Sequence, residues 1–222
     1  MAPDEGTYSA QHIWYRELGA TPSGLRLAEA WSDAVHVEGA YADDVPDGAE
    51  LVWRTAAVER GLIQVDIPPH RAPGAPALWF VAVDEARAAR PACNLVAYGG
   101  DTLPAGTIVS NHTFASLGVR SDAQLGAVRW YRDGLVHQIF VSPDHRRQNI
   151  GTALLHAAGA WQQANRWPGF LHSDGRRTLL GQLFLAAKQY PNRIRALTET
   201  MPDMDASQAS QQEPRRGIFR RG

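Results

Sequence analysis

The sequence predicts a mixed α/β fold that is preceded by an extra helical part. Three observations predict this class. Short runs rich in β-branched and aromatic residues recur from residue 50 onwards. Asp133-Gly134 lies between two of these runs, which is a strong hairpin signal. A run of helix-forming residues then spans 148–165, with its apolar positions mostly on one face.

The predicted elements follow one another along the chain. Residues 12–18 and 23–35 show apolar residues at helical spacing and form the N-terminal helical part. Strands are predicted at 50–57, 62–67, 77–84, 95–98, 107–114, 125–131, 135–141 and 170–172, and helices at 148–165 and 178–189. We therefore divide the chain into a helical part (1–48), a core (49–200) and a basic tail (201–222) that is expected to be disordered because apolar residues vanish from it.

Composition restricts the function classes. The 22 basic and 23 acidic residues give a formal net charge of −1, so no global field attracts nucleic acid or an anionic membrane. The single cysteine excludes an intramolecular disulfide and favours a cytoplasmic location. No apolar run reaches the roughly 18 residues that a membrane span needs. No spacing of His, Cys, Asp or Glu indicates a metal site.

The segment from Ile139 to Leu155 predicts an anion site. A β-branched strand meets Pro143, turns through a basic stretch and enters the long helix. The first amides of a helix have no partner within it and point outward, and the helix dipole adds positive potential there. Gly151 allows a ligand to approach the backbone closely, and Asn149 tolerates left-handed dihedral angles. Arg146 can add charge-assisted contacts to phosphate oxygens.

This segment resembles motif A of the GNAT N-acetyltransferase superfamily, whose pattern is Val-x-Pro-x-x-Arg followed by Gln/Arg-x-x-Gly-x-Gly/Ala. Here the pattern reads from Val141 to Arg146 and from Gln148 to Ala153, with Asn149 where many members have glycine. The resemblance implies a twisted and mainly antiparallel sheet with helices on both faces. It implies that the co-substrate is acetyl-CoA or another acyl-CoA. It also implies that backbone amides hold the pyrophosphate and that the preceding strand pairs with the pantetheine arm. The implied cofactor-binding residues are Ile139, Phe140, Val141, Arg146, Arg147, Gln148, Asn149, Ile150, Gly151, Thr152 and Ala153.

Acyl transfer to an amine needs a base for the amine and an acid for the leaving thiolate. Strand alternation places Leu135, His137, Ile139 and Val141 on one face, unless a bulge changes it. His137 is the best candidate base because imidazole titrates near neutral pH, although a structural histidine is the alternative. The family's tyrosine acid has no counterpart, because the pattern Asn-x-x-Ala-x-x-Leu-Tyr aligned on 178–185 places leucine there. Tyr190, five residues further on, is the other tyrosine candidate, or else a packing residue.

A polar cluster follows the core strand predicted at 170–172. Open α/β sheets bind ligands at this end of their strands. Ser173 and Asp174 are candidate catalytic residues, and His172, Arg177 and Thr178 are candidate substrate contacts. The alternative is a helix-capping loop with solvated arginines.

Three functions remain open. The first is acyl transfer from acyl-CoA to a small-molecule or macromolecular amine. The second is modification of a nucleobase in DNA, because the cluster at 172–181 resembles some phage and mobile-element relatives, including the Mom enzymes. It predicts a basic surface that includes Arg146, Arg147, Arg176 and Arg177. The third is a binding module without catalysis. Nucleic acid is not the favoured partner, and the sequence gives no oligomeric state.

Overall fold

The structure is a computed structural model that describes residues 11–186 and 193–201. Its helices are α1 (Asn111–Ala115), α2 (Ile150–Ala164) and α3 (Leu179–Ala186). Its strands are β1 (His12–Ala20), β2 (Arg26–Asp33), β3 (Glu50–Ala57), β4 (Ile63–Asp66), β5 (Leu78–Glu85), β6 (Ala92–Gly99), β7 (Thr107–Ser110), β8 (Gly126–Tyr131), β9 (Val136–Val141), β10 (Arg176–Arg177) and β11 (Glu199–Thr200).

Nine of these strands form one sheet in the order β1-β2-β3-β4-β7-β5-β6-β8-β9. Neighbouring strands are antiparallel except for β5 and β7, which are parallel. The predicted mixed α/β class with a mainly antiparallel sheet is therefore confirmed. The Asp133-Gly134 hairpin is also confirmed, because it joins β8 to β9 and places β9 at the edge of the sheet.

The predicted N-terminal helices at 12–18 and 23–35 are wrong, because these residues form β1 and β2. Trp14 lies directly opposite Trp31 in the β1–β2 ladder, and the two rings stack at 6.3 Å between centroids. Cross-strand pairs of large aromatic side chains stabilise a sheet, and they override a weak local preference for helix. Because β2 also pairs with β3, the sheet continues across the boundary drawn at residue 48.

Two predicted strand ends also differ. The strand predicted at 107–114 ends at Ser110, whose hydroxyl accepts the Thr113 amide at 3.2 Å and so caps α1. At 170–172 only one bridge forms, between His172 and Leu135.

Helix α2 packs against β2, β3, β6, β8 and β9, which stand far apart in the strand order. The sheet therefore curves around α2, and the main apolar core lies between them. The buried Gln162 side chain accepts the Trp130 indole N–H at 2.8 Å and fixes α2 on this face. Helix α1 covers part of the opposite face, where Phe114 packs against Trp79 and Tyr98.

Candidate functional site

Along its outer edge, β9 is hydrogen-bonded to the backbone of a neighbouring described segment only at its first residue, Val136. Val136 donates its amide to the His172 carbonyl at 2.9 Å, which joins the two segments in parallel. One residue further on, Ser173 instead donates to the Arg193 carbonyl at 2.9 Å. The segment at 172–173 thus turns away from β9 and leaves a cleft that opens toward the end of the strand.

The backbone groups of Ile139 and Val141 point into this cleft. Ser142 donates its amide inward to Leu125 at 3.0 Å, so the residues that alternate with it along β9 direct their peptide groups outward. In the described ranges, the one hydrogen bond to the outward peptide groups of Ile139 and Val141 comes from the Arg146 Nε, 3.3 Å from the Val141 carbonyl oxygen. The edge is therefore available for an extended ligand.

The turn after β9 has an unusual backbone. Pro143–His145 forms one turn of 3-10 helix, and Arg147 and Asn149 then adopt positive φ angles of 63° and 51°. Positive φ is uncommon outside glycine, and asparagine is among the residues that tolerate it best. The left-handed geometry expected at Asn149 is confirmed. Its side chain also donates to the Pro73 carbonyl at 2.8 Å and holds the turn against the 68–76 loop.

The amides at the start of α2 are available to a ligand. The first helical hydrogen bond runs from the Ala153 amide to the Asn149 carbonyl at 3.0 Å. The amides from Gln148 to Gly151 donate no hydrogen bond to any residue that the structure describes. The Nδ1 atom of His145, in the same turn, is buried and has no hydrogen-bond partner among the described residues. Free amides at a helix start, with exposed Arg146 and Arg147 beside them, fit a diphosphate.

Gly151 lies between this turn and α3. A Cβ atom built there would lie 3.3 Å from the Phe184 ring and 3.7 Å from the Val141 side chain. The missing side chain therefore lets the Phe184 ring and the Val141 side chain pack closely against the backbone at the start of α2.

A β-bulge changes the face that His137 occupies. Gln138 pairs with Arg129 but Val136 pairs with Trp130, so His137 is the extra residue. The prediction that His137 shares a face with Ile139 and Val141 is therefore wrong, because one inserted residue reverses the alternation.

Val136, Ile139 and Val141 pack against the main core, whereas His137 is exposed and contacts Tyr131. The Tyr131 hydroxyl lies 3.5 Å from the His137 Nδ1.

Paired charges surround Tyr131 on this open face. The Arg90 guanidinium lies over the Tyr131 ring at 3.9 Å and that of Arg129 at 5.2 Å. Asp133 binds Arg90, and Glu85 binds Arg129 at 2.6 Å. The hydrogen bond from Arg129 lowers the pKa of Glu85 from its ordinary value of 4.5. Both carboxylates are thus held ionised, and they fix the two guanidinium groups.

The segment 172–173, where the chain turns away from β9, is called the split below. The polar side chains that follow it form hydrogen bonds mainly with one another. The Ser173 hydroxyl accepts from Arg177 at 3.0 Å, and the Asp174 carboxylate accepts the Arg176 amide at 2.9 Å. The Thr178 hydroxyl accepts the Gly181 amide at 3.0 Å at the start of α3. Thr178 therefore caps α3, whereas Ser173 and Asp174 accept hydrogen bonds from the two neighbouring arginines and do not cap the helix. The proposed roles of these three side chains in catalysis and substrate binding stay predictions.

The remaining predicted residues are placed as follows. The His172 Nδ1 lies 2.9 Å from the Phe170 carbonyl oxygen, beside the split. Tyr190 lies outside the described residues. Arg176 binds Glu199 at 2.9 Å, so this arginine is paired within the chain. Within the described ranges, no group of three His, Cys, Asp or Glu side chains could hold a metal ion, and no helix is long and apolar enough to cross a membrane.

Sequence reasoning gave no chemical role to Tyr131 and missed Arg193. Tyr131 was visible as a polar aromatic residue just before the hairpin turn, but only the bulge brings His137 to it. Arg193 gives no local signal, because its partner Glu38 lies 155 residues away.

The comparison with family models matches residues 106–192 to the acetyltransferase (GNAT) domain. The match begins just before β7 and includes the turn, α2, the split and α3. Searches of curated proteins and of solved structures gave no match. The cleft beside β9 and the amides at the start of α2 both lie inside the matched region. Residues 106–192, less than half of the chain, are therefore similar to the GNAT acetyltransferase domain.

Proposed function

We propose that this protein transfers an acyl group from acyl-CoA, with acetyl-CoA as the simplest donor, to an amine. The observation that carries the proposal is the continuity between the free amides at Gln148–Gly151 and the unpaired outer edge of β9. The first suits a diphosphate, and the second suits the amide groups of a pantetheine arm.

The residues present fit this donor in three ways. The amides of the turn and the side chains of Arg146 and Arg147 would hold the diphosphate. The peptide groups of Ile139 and Val141 would pair with the arm. Gly151, which has no side chain, would let the donor approach the backbone at the start of α2 closely. When bound, the donor supplies the activated acyl group as a thioester.

We propose His137 as the base. It lies on the exposed side of β9, at the bulge, where the cleft begins to open. An amine that approaches from the open face of the sheet meets its imidazole. General bases at such positions typically contribute about 10²–10⁴ in rate.

The nucleobase and binding-module alternatives receive less support. Arg176 is paired with Glu199, and Arg177 donates to Gln182 at 2.7 Å and to Ser173. These two arginines are therefore engaged within the chain rather than offered as a basic surface to DNA. A binding module predicts a filled cleft, whereas no described strand pairs with the outer edge of β9 beyond the split.

Calorimetric titration with acetyl-CoA tests the proposal. Gly151→Ala should weaken binding by at least tenfold, or about 1.4 kcal/mol, because the new methyl group would lie 3.3 Å from the Phe184 ring and would displace groups beside the proposed diphosphate site. Gly159→Ala is the matched control on the same helix, since its Cβ would meet the nearest atom at an ordinary 3.6 Å. Wild-type protein that does not bind acetyl-CoA, or equal weakening by both variants, would contradict the proposed site.

Turnover separates an enzyme from a binding module. Release of the coenzyme A thiol from acetyl-CoA should be measured with three acceptors: ethylamine, a lysine-containing peptide and deoxyadenosine-containing DNA. His137→Gln should reduce the rate about a hundredfold or more, whereas His70→Gln, at an exposed position outside the site, should not. Binding without thiol release by the wild type would favour the binding module, and modification of DNA alone would favour the nucleobase reading.

A further inference from the structure

We propose that the Tyr131 hydroxyl is the acid that protonates the leaving thiolate, and that His137 restores its proton. This inference rests on the proposed acyl transfer. It adds the group that protonates the leaving thiolate to the base that deprotonates the amine. The position that Leu185 occupies in α3 offers no hydroxyl, so the acid must come from another element.

Tyr131 and His137 form a pair across the β8–β9 hairpin. Tyr131 is the last residue of β8, and the bulge turns His137 toward it. The hydroxyl-to-Nδ1 distance of 3.5 Å is long for a hydrogen bond. Contacts of this kind commonly tighten when the substrate binds. Both side chains retain access to solvent and hence to a substrate.

The pair lies where the reactive end of the donor is expected. A pantetheine arm that leaves the diphosphate at the turn and follows β9 runs from Val141 back toward His137. Four residues of strand cover roughly 13 Å. The thioester would therefore reach the bulge, with Tyr131 beside it.

Charge around the phenol supports transient loss of its proton. The guanidinium groups of Arg90 and Arg129 both face the Tyr131 ring, at 3.9 Å and 5.2 Å. Two nearby cations stabilise the negative charge that develops on a phenol as it donates. Asp133 and Glu85 hold these cations in place without contacting the hydroxyl in the structure.

The proton transfers balance over one cycle. The amine nitrogen attacks the thioester carbonyl carbon, the C–N bond forms and the C–S bond breaks. His137 accepts the amine proton on Nε2, and Tyr131 gives its hydroxyl proton to the sulfur. The Nδ1 proton of His137 then passes to the phenolate. The products are an amide and a free thiol, both residues are neutral again, and exchange with water resets the imidazole tautomer.

The other described tyrosines are poorly placed for this role. Tyr15 is buried in the main core, and Tyr98 lies beneath α1, where its hydroxyl donates to the Ser121 carbonyl at 3.3 Å. Tyr41 donates to Gln163, near the far end of α2. Of the described tyrosines, Tyr131 is the one whose hydroxyl lies near the candidate base.

The test compares Tyr131→Phe with Tyr98→Phe, which removes the same atom away from the site. Thiol release from acetyl-CoA is followed with ethylamine, or with water, as the acceptor. Tyr131→Phe should lower kcat about a hundredfold or more and abolish the alkaline fall of the pH–rate profile. Its calorimetric affinity for acetyl-CoA should stay within twofold of wild type, and Tyr98→Phe should change neither quantity.

The possible failures can be told apart. A wild type that does not bind acetyl-CoA would remove the proposed function itself. Wild-type turnover that Tyr131→Phe slows by less than threefold, or an alkaline fall that persists in the variant, would overturn only the role of Tyr131. Binding by the wild type without thiol release would also count against it, because the acid would then have no step to serve.

Discussion

The Arg193–Glu38 ion pair should hold the cleft open, and its removal gives a measurable loss of stability. Arg193 follows the gap in the described chain and donates through Nε to Glu38 at 2.7 Å. Its own carbonyl accepts the Ser173 amide and so draws the 172–173 segment away from β9. Arg193→Met would keep much of the apolar stem and remove the charge.

The structure sets the size of the effect. The two side chains are only 12% and 10% exposed, so the pair is largely buried. Removing one partner of a buried pair typically costs about 3–5 kcal/mol, because the other charge is left without compensation. Glu38 would still accept the Ile13 amide at 3.3 Å, which places the expected cost near 3 kcal/mol, at the lower end of this range.

Urea denaturation followed by tryptophan fluorescence would measure the loss in the free energy of unfolding. We expect a lower urea midpoint with an unchanged dependence of that free energy on urea concentration. Hydrogen exchange at the Ser173 amide should become faster in the same variant, because its acceptor is no longer fixed. Arg120→Met is the control, since the Arg120–Asp122 pair is exposed to solvent and its loss should leave the urea midpoint unchanged. An Arg193→Met cost below 1 kcal/mol, with unchanged exchange at Ser173, would refute the reasoning.

Three further predictions concern the scaffold and the turn. Burial raises the pKa of Glu29, but hydrogen bonds from Trp31, Arg16 and Arg54 outweigh it and leave the pKa below 4.5. The unfolded chain therefore binds this proton more readily, so the stabilisation is complete above pH 4.5 and lost as the pH falls through the lowered folded-state value. Glu29→Gln should cost about 3 kcal/mol at pH 7 and progressively less below pH 4.5, as measured by urea denaturation at each pH. Asn149→Ala should cost about 2 kcal/mol, from left-handed strain and the lost bond to Pro73, whereas Asn149→Gly should cost about 1 kcal/mol in the same assay. Gly126→Ala should cost about 1–3 kcal/mol, because its Cβ would lie 2.7 Å from the Phe140 carbonyl oxygen.

Each of these has a clear contrary outcome. A Glu29→Gln cost that does not change between pH 7 and pH 3 would mean that the carboxylate's ionisation is not linked to folding. Equal costs for the alanine and glycine variants of Asn149 would show that its left-handed backbone carries no strain. A neutral Gly126→Ala would mean that β8 and β9 can separate without cost.

Local patterns predicted the elements that local interactions determine. The Asp133-Gly134 turn specifies its hairpin within a few residues, and the turn before α2 combines Pro143, Asn149 and Gly151 in one short segment. The strand predicted at 50–57 matches β3. In each case the physical cause lies within the segment itself.

Features that depend on distant contacts were not predictable from spacing. Trp14 and Trp31 specify β1 and β2 only once they face each other across the ladder. The bulge that carries His137 to Tyr131 depends on the register of β8 and β9. The split at His172 depends on Arg193 and Glu38, which a linear pattern cannot connect.

Amide chemical shifts on titration with coenzyme A and with pantetheine, which lacks the diphosphate, test the central claim most directly. We expect coenzyme A to shift the amides of Gln148 to Gly151 together with those of Ile139 and Val141. Pantetheine should shift only the two strand amides. If coenzyme A at saturation left the amides of Gln148 to Gly151 unmoved, or if pantetheine moved them equally, the assignment of a diphosphate to the start of α2 would be contradicted.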